Sequence, residues 1–75
     1  MKFNDKIARI KADYPVGTRI QLDHMDDPYS PVPDGMTGTV TFVDDMGTLH
    51  MHWDNGRSLG VCPDVDRFHK IGGDV

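Results

Sequence analysis

A mainly β domain is what the sequence predicts: a small barrel of five short strands behind a short N-terminal helix. Three observations predict it. All twelve acidic residues are Asp, which favours turns and caps because its short side chain bonds nearby backbone amides, whereas Glu suits helix interiors. Eight Gly and five Pro punctuate 75 residues, so regular elements must be short. Between these breaks, apolar and polar residues alternate as they do in strands with one buried face.

Each element follows from its own stretch. Phe3, Ile7 and Ile10 fall on one helical face, Asn4 is placed to cap, and Pro15 stops the chain at Tyr14, so a helix is expected from about Asp5 to Ala12. Residues 17–23 (GTRIQLD) alternate, with Ile20 and Leu22 on one face, and read as the first strand. Residues 24–35 (HMDDPYSPVPDG) hold three prolines and form a long stiffened loop. A second strand spans 36–45, with a bulge expected at Gly38. The loop 44–47 leads to a third strand at 48–53. Asn55-Gly56 is read as a two-residue hairpin turn with both residues at positive φ. Residues 57–62 (RSLGVC) are the fourth strand, 63–68 one 3-10 turn, 68–71 a closing strand and 72–75 a tail. The domain division is thus helix 1–13, barrel 14–71, tail 72–75. A chain this short holds a single modest core.

A strand, a long irregular loop, a three-strand meander, a 3-10 turn and a last short strand are the layout of an SH3-like barrel. The stretch from YPVGTRIQLD to CPDVDRF resembles a small bacterial and phage domain family, number 4314 among domains of unknown function. The run G-T-V-x-F-V-D-D-x-G at 38–47, followed by W-D-N-G at 53–56, carries the resemblance, which spans about residues 14–71. It implies an SH3-like barrel, often encoded on phages and mobile elements, and no catalytic residues.

Charge divides the chain. Lys2, Lys6, Arg9 and Lys11 are half of the eight basic residues. From Tyr14 onward, ten Asp stand against Arg19, Arg57, Arg67 and Lys70, so a basic helix is attached to an acidic body. Phosphate backbones repel such a body, which argues against direct nucleic-acid binding; the basic helix is the alternative route to it. One cysteine permits no internal disulfide, and a reducing cytoplasmic setting is expected. No apolar run approaches the ~18 residues of a membrane span, and the N-terminus lacks the apolar core of a signal peptide.

In TLHMHW, Leu49, Met51 and Trp53 share one strand face, with Val40, Phe42, Leu59 and Val61 expected as companions in the interior. His50 and His52 share the outer face. Two histidines at this spacing can ligate one metal, but a site needs three or four ligands, and nothing fixes Asp44, Asp45, His24 or His69 beside them. They are therefore assigned to a polar outer surface, with no metal or other cofactor.

Asp23, Asp26 and Asp27 cluster in the long loop without the spacing of a calcium loop. Tyr29, Pro31 and Pro33 would give that loop a stiff apolar lip, suited to a basic or Arg-rich partner segment. The plainer reading is that the prolines limit loop entropy and the Asp side chains make turns. Cys62 ends an apolar run and is expected to be inert, and Arg57 to be solvated. The helix is too short to persist undocked. Its apolar face is expected to cap the open end of the barrel, a partner or second copy being the other option.

The expected function is a non-enzymatic interaction module, monomeric or homodimeric. It would bind a protein partner through Asp23, Asp26, Asp27 and Tyr29 of the loop and Asp44, Asp45, His50 and His52 of the outer sheet. One alternative is an acidic anti-defence inhibitor that mimics nucleic acid on a basic nucleic-acid-handling protein. The other is a nucleic-acid binder that uses Lys2, Lys6, Arg9 and Lys11.

Overall fold

In the computed structural model, which describes residues 2–72 and their side chains from Asp5 onward, the N-terminal periodicity becomes a helix, α1 (Lys2–Asp13). It closes with Tyr14 N donating to Ile10 O at 3.0 Å, and Pro15 then denies it a further donor. The helix starts earlier than the expected Asp5, so Asn4 lies within it and not at its cap; the side chains of Lys2 and Phe3, and the tail beyond Gly72, lie outside the described residues.

Four strands follow: β1 (Arg19–His24), β2 (Thr37–Val43), β3 (Leu49–Trp53) and β4 (Arg67–Lys70). They form one antiparallel sheet in the order β3-β2-β1-β4. One face carries the core, built from Ile20, Leu22, Val40, Leu49, Met51, Trp53 and Val61. Each such side chain, taken from water, contributes about 1.5–3 kcal/mol.

The five-strand expectation is corrected to four. Residues 57–62 do not form a strand; their backbone pairs with that of β3 through Trp53 N donating to Arg57 O at 2.8 Å and the paired Leu49–Val61 bonds at 2.9 Å. Between those two points the Leu59 carbonyl accepts from the Trp53 indole Nε1 at 2.7 Å. A buried indole N–H needs an acceptor, and here it takes one beside the place where the Met51–Leu59 ladder would run. Leu59 consequently stays 36% exposed and is not the interior companion expected.

Two further expectations about β2 are revised. The irregularity lies at Thr41, not at Gly38. Val40 faces Met51 while Phe42 faces His50, so one extra residue sits between them, and Thr41 Oγ1 donates to His50 O at 3.0 Å. A one-residue insertion exchanges the two faces of a strand. Val43 therefore packs against the core and Phe42 turns outward, 49% exposed. Gly38 sits in regular register opposite Trp53. A Cβ there would stand 2.6 Å from Trp53 Cε3, so the bare backbone makes room for the indole.

The hairpin turns also differ in type. Gly56 N bonds Trp53 O at 2.9 Å while Trp53 N bonds Arg57 O, which makes a three-residue loop ending in Gly56 at φ 90° and not a two-residue turn. The β2–β3 connection repeats it through Gly47 N to Asp44 O and Asp44 N to Thr48 O, both 3.0 Å. Residues 63–66 form a hydrogen-bonded turn on Cys62 O, which accepts from Val65 N at 3.0 Å and from Asp66 N at 2.8 Å.

The helix docks on the β2–β3 turn. Ile7 is buried, Ile10 packs against the core, and a Cβ at Gly47 would stand 2.7 Å from Ile7 Cδ1. Lys11 Nζ reaches Asp45 at 2.7 Å and Lys6 Nζ reaches Asp64 at 2.8 Å. The long loop returns to β1 through Gly35 N to Leu22 O at 2.7 Å and Leu22 N to Met36 O at 2.8 Å. It also sends Met25 and Val32 into the core.

Candidate functional site

The long loop and the residues that fail to form a strand face each other across a cleft of about 280 Å³. One wall is Met25 to Pro28 of the long loop; the other is formed by Leu59, Gly60, Cys62, Val65 and Asp66. Asp66 ties the walls together. Its Oδ1 accepts from Asp26 N at 2.8 Å and its Oδ2 from Cys62 N at 2.9 Å. Asp27 Oδ1 accepts from Tyr29 N at 2.8 Å and from Ser30 N at 3.4 Å, a turn that leaves the Tyr29 ring 92% exposed. Arg57, expected to be solvated, instead holds the loop from the far side, its Nη2 donating to Ser30 O at 2.6 Å. The loop is thus fixed at both flanks, which lowers the ordering cost of binding against it.

The outer sheet face is a separate region. His50 Nε2 stands 2.8 Å from Asp44 Oδ2, and the His50 ring lies flat on Phe42, with centroids 4.1 Å apart and planes at 10°. The hydrogen bond from His50, and then those from the backbone of Thr48 and Met46, hold the Asp44 carboxyl below its ordinary range. His52 projects from the same face and is exposed. Among the described residues no group of three or more His, Cys, Asp or Glu is arranged to hold a metal ion.

The residues nominated for partner binding are therefore divided. Asp26 and Asp27 line the cleft, and Tyr29 follows its Pro28 wall in the same loop. Asp23 turns away to His69 Nδ1 at 3.0 Å, Asp44 and His50 meet each other, and Asp45 is taken by Lys11. Of the basic helix residues, Lys6 and Lys11 are engaged with the acidic body and Arg9 is exposed.

Sequence reasoning missed the second wall of the cleft. Leu59 was assigned to the interior, and Val65 and Asp66 to a plain turn. The spacing Cys62-x-x-x-Asp66 does carry a signal, since a short acid at that distance can cap the preceding amide.

No helix among the described residues is long and apolar enough to cross a membrane. No curated protein and no solved structure matches the chain. A family model does, over residues 3–71, nearly the full length. The chain belongs to the family described as Domain of unknown function (DUF4314).

Proposed function

We propose that this chain is a non-enzymatic interaction module that binds a partner protein reversibly in the cleft between the long loop and residues 59–66. The observation that carries this reading is the cleft itself: an apolar floor opened by the lost strand, walled by a loop that Arg57 and Asp66 hold in place. Concave, pre-formed, largely apolar sites with a few polar groups are where binding concentrates. Asp66 serves the shape of the site, since both its oxygens are committed to backbone amides of the two walls. Within this reading the architecture is a small SH3-like barrel whose fourth strand is reduced to the Leu49–Val61 bridge. The strand order, with that bridge on the free side of β3, supports it.

The test is site-specific photo-crosslinking in a lysate of the source cell. A photoreactive residue is placed at Tyr29, and in a second variant at Thr39 on the outer sheet. The reading predicts a discrete crosslinked partner from position 29 that disappears on adding Leu59→Asp. Crosslinks from position 39 alone, or from neither position, would overturn it.

A further inference from the structure

We infer that the cleft receives a segment of the partner that carries an apolar side chain beside an arginine or lysine. This rests on the binding reading above and specifies its ligand.

The aspartates differ in whether a basic side chain meets them. Between Tyr14 and Gly72 the chain has nine Asp. Six of them have a basic side chain within 3.2 Å: Asp23 with His69, Asp34 with His24, Asp44 with His50, Asp45 with Lys11, Asp54 with Arg19 and Asp64 with Lys6. The other three are Asp26, Asp27 and Asp66, and all three line the one cleft. Between Tyr14 and Gly72 the fold thus sets a basic side chain against every acid except those around this opening. Like charges gathered at a concave site raise the local concentration of cations and steer them inward.

Those three acids are not equivalent. Asp66 spends both oxygens on the amides of Asp26 and Cys62. Asp27 spends Oδ1 on its own turn. Among the described residues, the Asp26 carboxylate and Asp27 Oδ2 make no hydrogen bond, so two acceptor positions remain at the loop side. Across from them, Leu59 and Val65 are partly exposed apolar side chains. A ligand that satisfies both sides is amphipathic over a short span, with a cation toward Asp26 and Asp27 and an apolar group over Leu59 and Val65. Arg suits the loop side best, because its fork can meet two carboxylates at once. A bare metal ion would leave the apolar side unfilled, and an acidic strand would be repelled.

The experiment is a random decapeptide display library panned on the intact protein. Enriched peptides are then measured by fluorescence anisotropy and mapped by amide chemical shifts. The inference predicts enrichment of sequences with Arg or Lys within a few positions of a large apolar residue. It predicts amide shifts at Asp26–Tyr29 and Leu59–Asp66. Affinity should fall about tenfold in Asp26→Asn/Asp27→Asn, with steeper loss in high salt for the parent protein than for the variant. Asp27→Asn keeps an acceptor for Tyr29 N, so the turn survives, and an unchanged amide spectrum of the free variant verifies folding. Peptides that map to the cleft without a basic residue, or that bind the double variant equally well, would overturn the inference and leave the binding reading intact. Peptides that map only elsewhere, or no enrichment, would overturn both.

Discussion

Arg19 forks onto Asp54 with Nη1 at 2.8 Å from Oδ1 and Nη2 at 2.7 Å from Oδ2, and the same Nη1 reaches Thr39 Oγ1 at 3.0 Å. Asp54 also accepts from Thr37 Oγ1. One carboxylate after β3 thus ties β1, β2 and the 54–56 turn together across the outer face. The two hydrogen bonds from Arg19, and then the one from Thr37, hold the Asp54 carboxyl far below its ordinary range.

That depression has a sign. A carboxylate whose pKa is lower folded than unfolded adds stability above its unfolded value, about 4. The contribution disappears as pH falls through the folded value. Asp44, lowered chiefly by His50, acts in the same direction. Melting temperature should therefore decline below about pH 4, and the decline should be shallower in Asp54→Asn. Melts of both proteins between neutral and strongly acidic pH check this.

Gly38 offers a sharper test of packing. Ala there would place its Cβ 2.6 Å from Trp53 Cε3 and 3.1 Å from Trp53 Cα. Neither the ring of a fully buried Trp nor backbone yields cheaply, so Gly38→Ala should cost about 1–3 kcal/mol. Urea denaturation with unchanged m-value measures it.

The long loop should behave as core at two positions and as surface at a third. Met25 and Val32 are buried in the main cluster while Tyr29 is almost fully exposed. Met25→Ala is expected to cost about 2–5 kcal/mol, and Tyr29→Ala to stay within about 0.5 kcal/mol. Chemical denaturation of the two variants separates a docked loop from a loose one.

Lys6 and Lys11 make exposed pairs with Asp64 and Asp45. Such pairs contribute about 0–1 kcal/mol, so Lys6→Ser/Lys11→Ser should melt only slightly lower. Since both charges are already matched within the fold, neither the parent nor this variant should retard a duplex or single-stranded oligonucleotide at physiological salt. A gel-shift titration reads that outcome.

Much of the fold was legible because its determinants are local. The Ile7–Ile10 spacing with Pro15 marked α1, and alternation in LHMHW marked which side of β3 is buried. What escaped was decided by tertiary demands. Strict alternation put Phe42 inside, but the extra residue at Thr41 turned it out to stack on His50. RSLGVC looked like a strand, yet the Trp53 indole took the Leu59 carbonyl. The proline-rich loop read as a stiffened connection with an apolar lip, and its sequence did not mark Met25 and Val32 as the residues it packs against the sheet. The acidic loop was visible as a candidate for binding. Its partner wall was not, because only the fold brings Leu59, Val65 and Asp66 opposite Asp26 and Asp27.

The most direct test of the binding site is an amide chemical-shift map of the intact protein, recorded while the crosslinked partner or an enriched decapeptide is titrated in. Shifts concentrated at Asp26–Ser30 and Leu59–Asp66, weakening as salt is raised, are the predicted result. Shifts centred on Thr39, His50 and His52, with the amides of the cleft unmoved, would contradict it.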